Sequence, residues 1–557
     1  MSTLVGGAAP TRPIPKSPEL TALLQGNAIY GETTRFKQIA RYESFYACQQ
    51  YKHLKSDWWG MSADQMETVS PEISVPFGFT QPAISELNVR MKRPTAPYHL
   101  AKAVVDRFTG LLFSNTRKPD VVVEGDPMTE KFLEAVIEQS RFWAKMREAR
   151  AMGGACGSVL LTAHLREGRF SIEVHNPKHC QITWADHRAL APRGVLISYT
   201  YQVEEDIYDP KNPGVVVGTQ MVDYLYRRII TDVEDTVYKA VRLDPDAAMD
   251  WEPEDTVRHD HGFFPGVWVQ NLPVLGQDDG DPDCQGAWQS FDTIDRIISQ
   301  MNKAILLNLD PTLVMSVDPK TIAAQGGSVR TGSDGALNVG PGGAATFLEI
   351  TGGGVAAGMT LYTVLKQNVL DVVRCVLVDP QTISGSAQSG KALEYIYAPM
   401  LEKADDLRAQ YGDLGVVPIL RIIERMSRKY AATTFRLEDD PSGAPRIGRY
   451  VFDLPPTRNE LGALEPTVLG AGGYIQIKWG PYFALTLEDK GKGVANLVAA
   501  KSGGLIDAST AITQAGPLFD IRDTAAVEER VKAEQEADLD RMMGGGFGGL
   551  PETPGGF

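Results

Sequence analysis

The residues best placed to do chemistry lie in one short stretch, Ser384-Gly385-Ser386-Ala387-Gln388-Ser389-Gly390-Lys391-Ala392. From Gly385 it follows the phosphate-loop pattern G-x-x-x-x-G-K-[ST] at each fixed position but the last. In such a loop the backbone amides cradle phosphates, the lysine reaches the terminal phosphates, and the final hydroxyl holds magnesium. Here the methyl group of Ala392 stands in place of that hydroxyl. The apolar run before it, Val372 to Val378, reads equally as a strand or as a helix end. The stretch is either a degraded nucleotide site or a glycine- and serine-rich loop with a mechanical task.

Other groups offer less. His175, His179 and His187 with Cys180 and Asp186 could be drawn as a metal cluster, but they straddle the turn Asn176-Pro177 without the tight spacing of a zinc site. His259-Asp260-His261 also sits on a loop. Asp279, Asp281 and Asp283 resemble the start of a calcium loop, yet its sixth position is Cys284 and its twelfth Ser290, where Gly and Glu are needed. These acidic residues read as a solvated turn. Cys156 lacks the frame of a nucleophile elbow and reads as a buried structural thiol. No paired carboxylates or Ser/His/Asp set stands out. No metal site, cofactor or catalytic centre is expected.

The elements around the loop do not make a nucleotide fold. Ahead of it, Phe291, Ile294, Ile298, Met301 and Ile305 recur at alternating spacings of three and four, an amphipathic helix that stops at Asp310-Pro311. A second helix is expected over Val355–Val373, with Leu361, Leu365, Val369 and Val372 as its apolar stripe. Between them lies a glycine-dense insertion with strands at Thr312–Val317 and Thr346–Ile350. After the loop a long helix runs from Ala392 to about Tyr411, interrupted by Pro399, and another spans Val416–Tyr430. The C-terminal part holds a strand, Gly448–Leu454, and helices near Thr486–Lys501, Asp507–Gln514 and Thr524–Arg541.

Towards the N-terminus, helices are expected at Glu32–Tyr51 and Tyr98–Leu112, and one from Thr129 through Phe142 towards Ala151. Glycines 153, 154 and 157 end that helix and open a buried strand, Ser158–Thr162. Strands follow at Phe170–Val174, Cys180–Trp184, Gly194–Val203, Met221–Ile230 and Thr236–Val241. Strands in succession without βαβ alternation make this an α+β chain.

Composition narrows the class further. The chain has 557 residues, enough for several structural regions, and ordinary apolar and charged content. Its net charge of −15 disfavours tight gripping of phosphate backbones, but suits a wall along which DNA slides. The scattered Cys48, Cys156, Cys180, Cys284 and Cys375 contain no C-x-x-C pair, which argues against a disulfide framework or a zinc ribbon. No apolar run approaches the ~18 residues of a membrane span. No secretory leader pattern opens the chain. The expectation is an intracellular protein without a membrane partner, folded in a reducing cytoplasm.

In their order along the chain, these residues resemble portal proteins of tailed double-stranded DNA bacteriophages. Gly157-Ser158-Val159-Leu160-Leu161 is similar to the family's wing strand. Phe291 to Gln300 is similar to the start of its first stem helix. The insertion from about Pro311 to Gly354 takes the place of the clip, and Val355–Val373 that of the second stem helix. Asp379 to Gly385 and Ser389-Gly390-Lys391-Ala392-Leu393-Glu394 resemble the tunnel loop and the start of the long kinked wing helix. Ile477 to Pro481 and Gly503 to Thr510, followed by an acidic helix, resemble the crown. The likeness covers roughly Ala101 to Glu536.

The resemblance implies a wing of mixed α/β structure, a two-helix stem, a small clip and a helical crown. The boundaries it suggests are a flexible N-terminus at 1–25, wing at 26–286, stem helix at 287–310, clip at 311–354 and stem helix at 355–376. A tunnel loop follows at 377–391, wing again at 392–480, crown at 481–543 and a flexible tail at 544–557. It implies a non-enzymatic homo-oligomeric ring, dodecameric by likeness, at one capsid vertex of the virion. Implied partners are the terminase large subunit, head-completion or adaptor proteins, major capsid and scaffolding proteins, and double-stranded DNA passing through the channel.

Phe291, Ile294, Ile298, Met301, Ile305, Leu361, Leu365 and Val369 would pack between subunits. Thr382, Ser384, Ser386, Gln388, Ser389 and Lys391 would meet DNA, Lys391 as a transient phosphate contact. The rival in another class is an ATP-dependent packaging enzyme built on 385–391. A third is another virion structural component.

Overall fold

The computed structural model describes residues 34–51, 94, 96–114, 118–166, 168–208, 216–243, 251–309, 312–316, 344–348, 353–377, 390–431, 434–437, 446–449, 452–458, 464–480, 482, 487–516, 519, 527–534 and 536–537. The chain divides into two compact units, Met1–Trp479 and Gly480–Phe557.

The first unit begins with α1 (Thr34–Tyr46) and α2 (Leu100–Leu112). Strand β1 (Asp120–Glu124) leads into α3 (Pro127–Gln139). Asp126 caps this helix by accepting from the amides of Met128 and Thr129, and Pro127 supplies the pre-set φ of a first turn. A single helix through Phe142 was expected. Instead Arg141 adopts a left-handed φ of 52° and separates α3 from α4 (Phe142–Cys156). Gly157, at φ +94°, closes α4, and its Cα lies so close to the carbonyl of Gly280 that a Cβ would overlap it.

The strands form two main sheets. Strands β2 (Ser158–Arg166) and β3 (Arg169–His175) pair with each other. Then come β4 (Cys180–Asp186), β5 (Ala191–Tyr208), β6 (Val216–Ile230), β7 (Glu234–Arg242), β8 (Pro253–Arg258) and β9 (Gly266–Gln270). One sheet has the order β3-β2-β9 and the other β4-β5-β6-β7-β8. Strand pairs among the described residues are antiparallel throughout. Leu160, Cys180, Val195, Ile197, Ile230, Phe264 and Trp268 fill the core between the sheets. Strands β1, β8 and β9 were not anticipated. β5 and β6 also extend well past their expected ends, because the outer half of this hairpin is largely exposed and Gly218-Thr219-Gln220 interrupts the apolar pattern of β6.

Helix α5 (Trp288–Leu309) precedes the hairpin of β10 (Thr312–Ser316) and β11 (Ala344–Leu348). Helix α6 (Gly353–Val372) follows, and ends in a turn at 373–374 with no strand over 375–377. Helix α7 (Gly390–Arg408) runs through Pro399 and widens into a π-helical stretch, Ala409–Val416, before α8 (Val417–Ala431). Strands β12 (Thr434–Leu437) and β13 (Arg446–Arg449) pair, so the strand expected over Gly448–Leu454 begins earlier and ends at Arg449. Strand β14 (Tyr474–Lys478) returns to pair with β1. The second unit contains α9 (Leu487–Ser502), α10 (Ala508–Ala515) and a helical stretch at 527–534, where Glu528 accepts from the Ser509 hydroxyl. Among the described residues, no helix is long and apolar enough to cross a membrane.

Candidate functional site: a stem buried at its root and bare above

Helices α5 and α6 run antiparallel. Val372 lies over Gly286, just before α5, while Met301 lies over Gly358 further up. Their spacing pattern gave each an apolar stripe, but burial along that stripe is uneven. Phe291, Ile294 and Val369 are buried within this chain, Ile298, Met301 and Leu365 are half-buried, and Ile305 and Leu361 are exposed at 45% and 49%.

This corrects part of the expected subunit contact. Phe291 belongs to an aromatic cluster with Tyr42, Phe45 and Trp288, and Ile294 is fully covered beside it. Such residues have no face left for a neighbour. The bare apolar surface lies higher, at Ile305 and Leu306 of α5 and at Met359, Leu361 and Val364 of α6.

Polar straps hold the root of α5. Asp295 accepts from the Tyr98 amide at 2.8 Å, and the Tyr51 hydroxyl lies between Asp292 (2.9 Å) and Asp295 (3.0 Å). Burial raises the Asp295 carboxyl above its ordinary value. One turn on, Ser299 accepts from the Ala96 amide at 3.2 Å. The Lys366 ammonium of α6 sits 5.2 Å from the Tyr98 ring centroid. No spacing rule marks Tyr51, Tyr98 or Asp295, because their partners come from distant segments.

Of the expected loop residues, Thr382, Ser384, Ser386, Gln388 and Ser389 lie outside the described residues. Lys391 is described only as backbone in the first turn of α7. The run before the loop resolves in favour of a helix end, since α6 stops at Val372 and 375–377 form no strand. A phosphate loop springs from a strand in a parallel βαβ unit. The described residues contain no such unit.

The histidines regroup. His175 joins His164 and Glu173 on one face of the β2–β3 pair, with their ligand atoms within 4.8 Å of one another. One nitrogen of each ring is already engaged, because Thr162 Oγ1 lies 2.8 Å from His175 Nε2 and 2.9 Å from His164 Nε2. Glu173 accepts from Arg228 at 2.6 Å, and Arg228 also donates twice to Asp235. Burial pushes His175 down to about 4, leaving it neutral. These contacts make a hydrogen-bonded network closed by Arg228 and Asp235. His187 is exposed and reaches Asp278, and Cys180 is buried with its thiol pushed up to about 12. His164 was missed; it lies across the β2–β3 hairpin from the segment where the other histidines cluster.

The turn at 278–283 is only partly solvated. Asp283 is fully buried against Arg150 at 2.8 Å, Asp279 pairs with Arg35, and Asp278 accepts from Trp184.

A family model described as phage portal protein, SPP1 Gp6-like, matches residues 29–431, reaching further towards the N-terminus than the motifs did and stopping at the end of α8. No curated protein matches the chain. With well over half of its length matched, the chain belongs to the SPP1 Gp6-like family of phage portal proteins.

Proposed function

We propose that this chain forms a ring at one vertex of the phage capsid and serves as the conduit for double-stranded DNA during packaging and ejection. One observation carries this reading. The upper stem exposes Ile305, Leu306, Met359, Leu361 and Val364, on helices whose roots bury Phe291, Ile294, Val369 and Leu370 within the same chain but leave Val372 exposed. Exposed apolar surface of this kind marks a protein contact. Repeated head to tail, one such contact closes a ring when the rotation closes.

In this reading the wing is 26–286 with 392–480, the stem 287–310 with 355–376, the clip 311–354 and the crown 481–543. The clip docks the terminase large subunit and later the head-completion proteins. The wing faces major capsid and scaffolding proteins. The loop 377–391 meets DNA through Thr382, Ser384, Ser386, Gln388, Ser389 and Lys391. The net charge of −15 supports passage over tight binding. The chain works without catalysis, and its ring is dodecameric and assembled in the host cytoplasm.

Electron microscopy of the purified full-length chain tests this. Rings with a central channel are expected, and persistent monomers or open sheets would sink the reading. ATP turnover that Lys391→Ala abolishes would instead establish the packaging-enzyme rival.

A further inference from the structure

Two buried cations share one carboxylate at the junction of wing and stem. Arg150 of α4 donates to both oxygens of Asp283, at 3.1 and 2.8 Å, and both side chains are fully buried. Asn271 donates to Asp283 at 3.1 Å and accepts from the Tyr411 hydroxyl at 3.1 Å. The chain makes room for this group by omission. A Cβ on Gly153 would overlap the Tyr411 hydroxyl, and one on Gly154 would strike Arg150 and Asp283.

Lys403 of α7 is the second cation, 4% exposed and 3.9 Å from a carboxylate oxygen already claimed by Arg150 and Asn271. Its hydrogen bonds go elsewhere, to the carbonyl of Asp283 at 2.9 Å and that of Val373 at 3.0 Å. The Phe108 ring lies 4.5 Å from the ammonium. Burying a cation with half a counter-ion is costly, and an apolar side chain of similar length would fill the place more cheaply. Stability therefore does not explain a lysine here.

What only a lysine supplies is a compact multiple donor reaching two backbone segments at once. Those segments are the two roots of the stem. Val373 directly follows α6, and Asp283 lies five residues before α5, in the turn that leads into it.

We infer that Lys403 is a positioning residue that pins both stem roots to the wing helix α7, so that stem and wing move as one piece. Its consequence for DNA passage rests on the portal reading above, whereas the pin itself does not. α7 begins where the proposed DNA-contacting loop ends, so the pin fixes how movement of that helix is passed to the stem.

The test is Lys403→Met in the full-length chain, read by hydrogen exchange, thermal melting and DNA content of particles assembled with it. The pin predicts that amides at 283–287 and 373–377 exchange at least about tenfold faster, while β2 is unchanged and the melting temperature holds or rises. It also predicts less DNA per particle. Unchanged root exchange overturns the pin, as does a uniform rise across the wing with a lower melting temperature, since that marks a merely structural lysine. Wild-type DNA content with loosened roots overturns the mechanical role.

Should Lys403→Met fail to fold, wild-type exchange decides. Roots protected to the same degree as α7 support the pin, and roots opening well before α7 refute it. Absence of rings in the wild type refutes the portal reading alone.

Discussion

The wing junction and the upper stem solve the problem of burial in opposite ways. At the junction, polar groups as costly as Arg150, Asp283 and Lys403 are enclosed together by one chain, even though Arg150 Nε and Nη1 find no hydrogen-bond partner there. On the upper stem, cheap apolar groups such as Leu361 and Ile305 are left in water. A chain that can seal a charged cluster could also cover a few aliphatic side chains. In the ring proposed above, the missing cover is another copy of the chain.

The contrast can be broken most sharply at the junction. Asp283→Ala leaves two cations buried without a carboxylate, and should cost about 3–5 kcal/mol in denaturant unfolding. A loss below about 1 kcal/mol would mean that the junction is wetter than its burial implies.

Acid should act next, and on the wing. His164, His175, His179, His259 and His261 are all held below their ordinary value, burial being the main cause. For His175, His179 and His259 the depressed value is about 4, and for His261 about 3. The unfolded chain therefore binds protons that the folded wing refuses. This stability is fully present above about pH 6.5 and drains away as the pH falls towards 4. Melting curves from pH 7.5 to 4.5 should show it, and a melting temperature flat over that range would contradict it.

The smallest effect on the single chain should come from the upper stem. Leu361→Glu should change monomer stability by less than about 0.5 kcal/mol. Yet it should abolish the rings seen by electron microscopy or mass photometry. Rings that persist would move the subunit contact off this surface.

What the sequence disclosed follows the range of the forces involved. The helix through Phe291, Ile294, Ile298, Met301 and Ile305 was legible because a period of 3.6 is local. Which of those residues are sealed was not, since Phe291 is covered by Phe45, far away in sequence. The break at Arg141 rests on one left-handed residue that no apolar pattern announces. Asp283 looked like a solvated turn because its partner, Arg150, lies 133 positions earlier. The pairing of His164 with His175 needed the β2–β3 register, which places both on one face. The loop 377–391 is still known through its composition alone, a run of small residues that restricts the backbone little.

The pairing of β1 with β14 sets a schedule for synthesis. Asp126, which caps α3, also accepts from the amide of Gly472, 346 positions later. At the usual 5–20 residues per second, a ribosome needs about 20–70 s to make the intervening chain. Through that interval the β1 edge stands open, while helices α3 to α8 and the strands between them emerge first. A nascent portal chain is thus exposed at one sheet edge until almost all of it exists, and that edge is where a chaperone or a neighbouring nascent chain would find it.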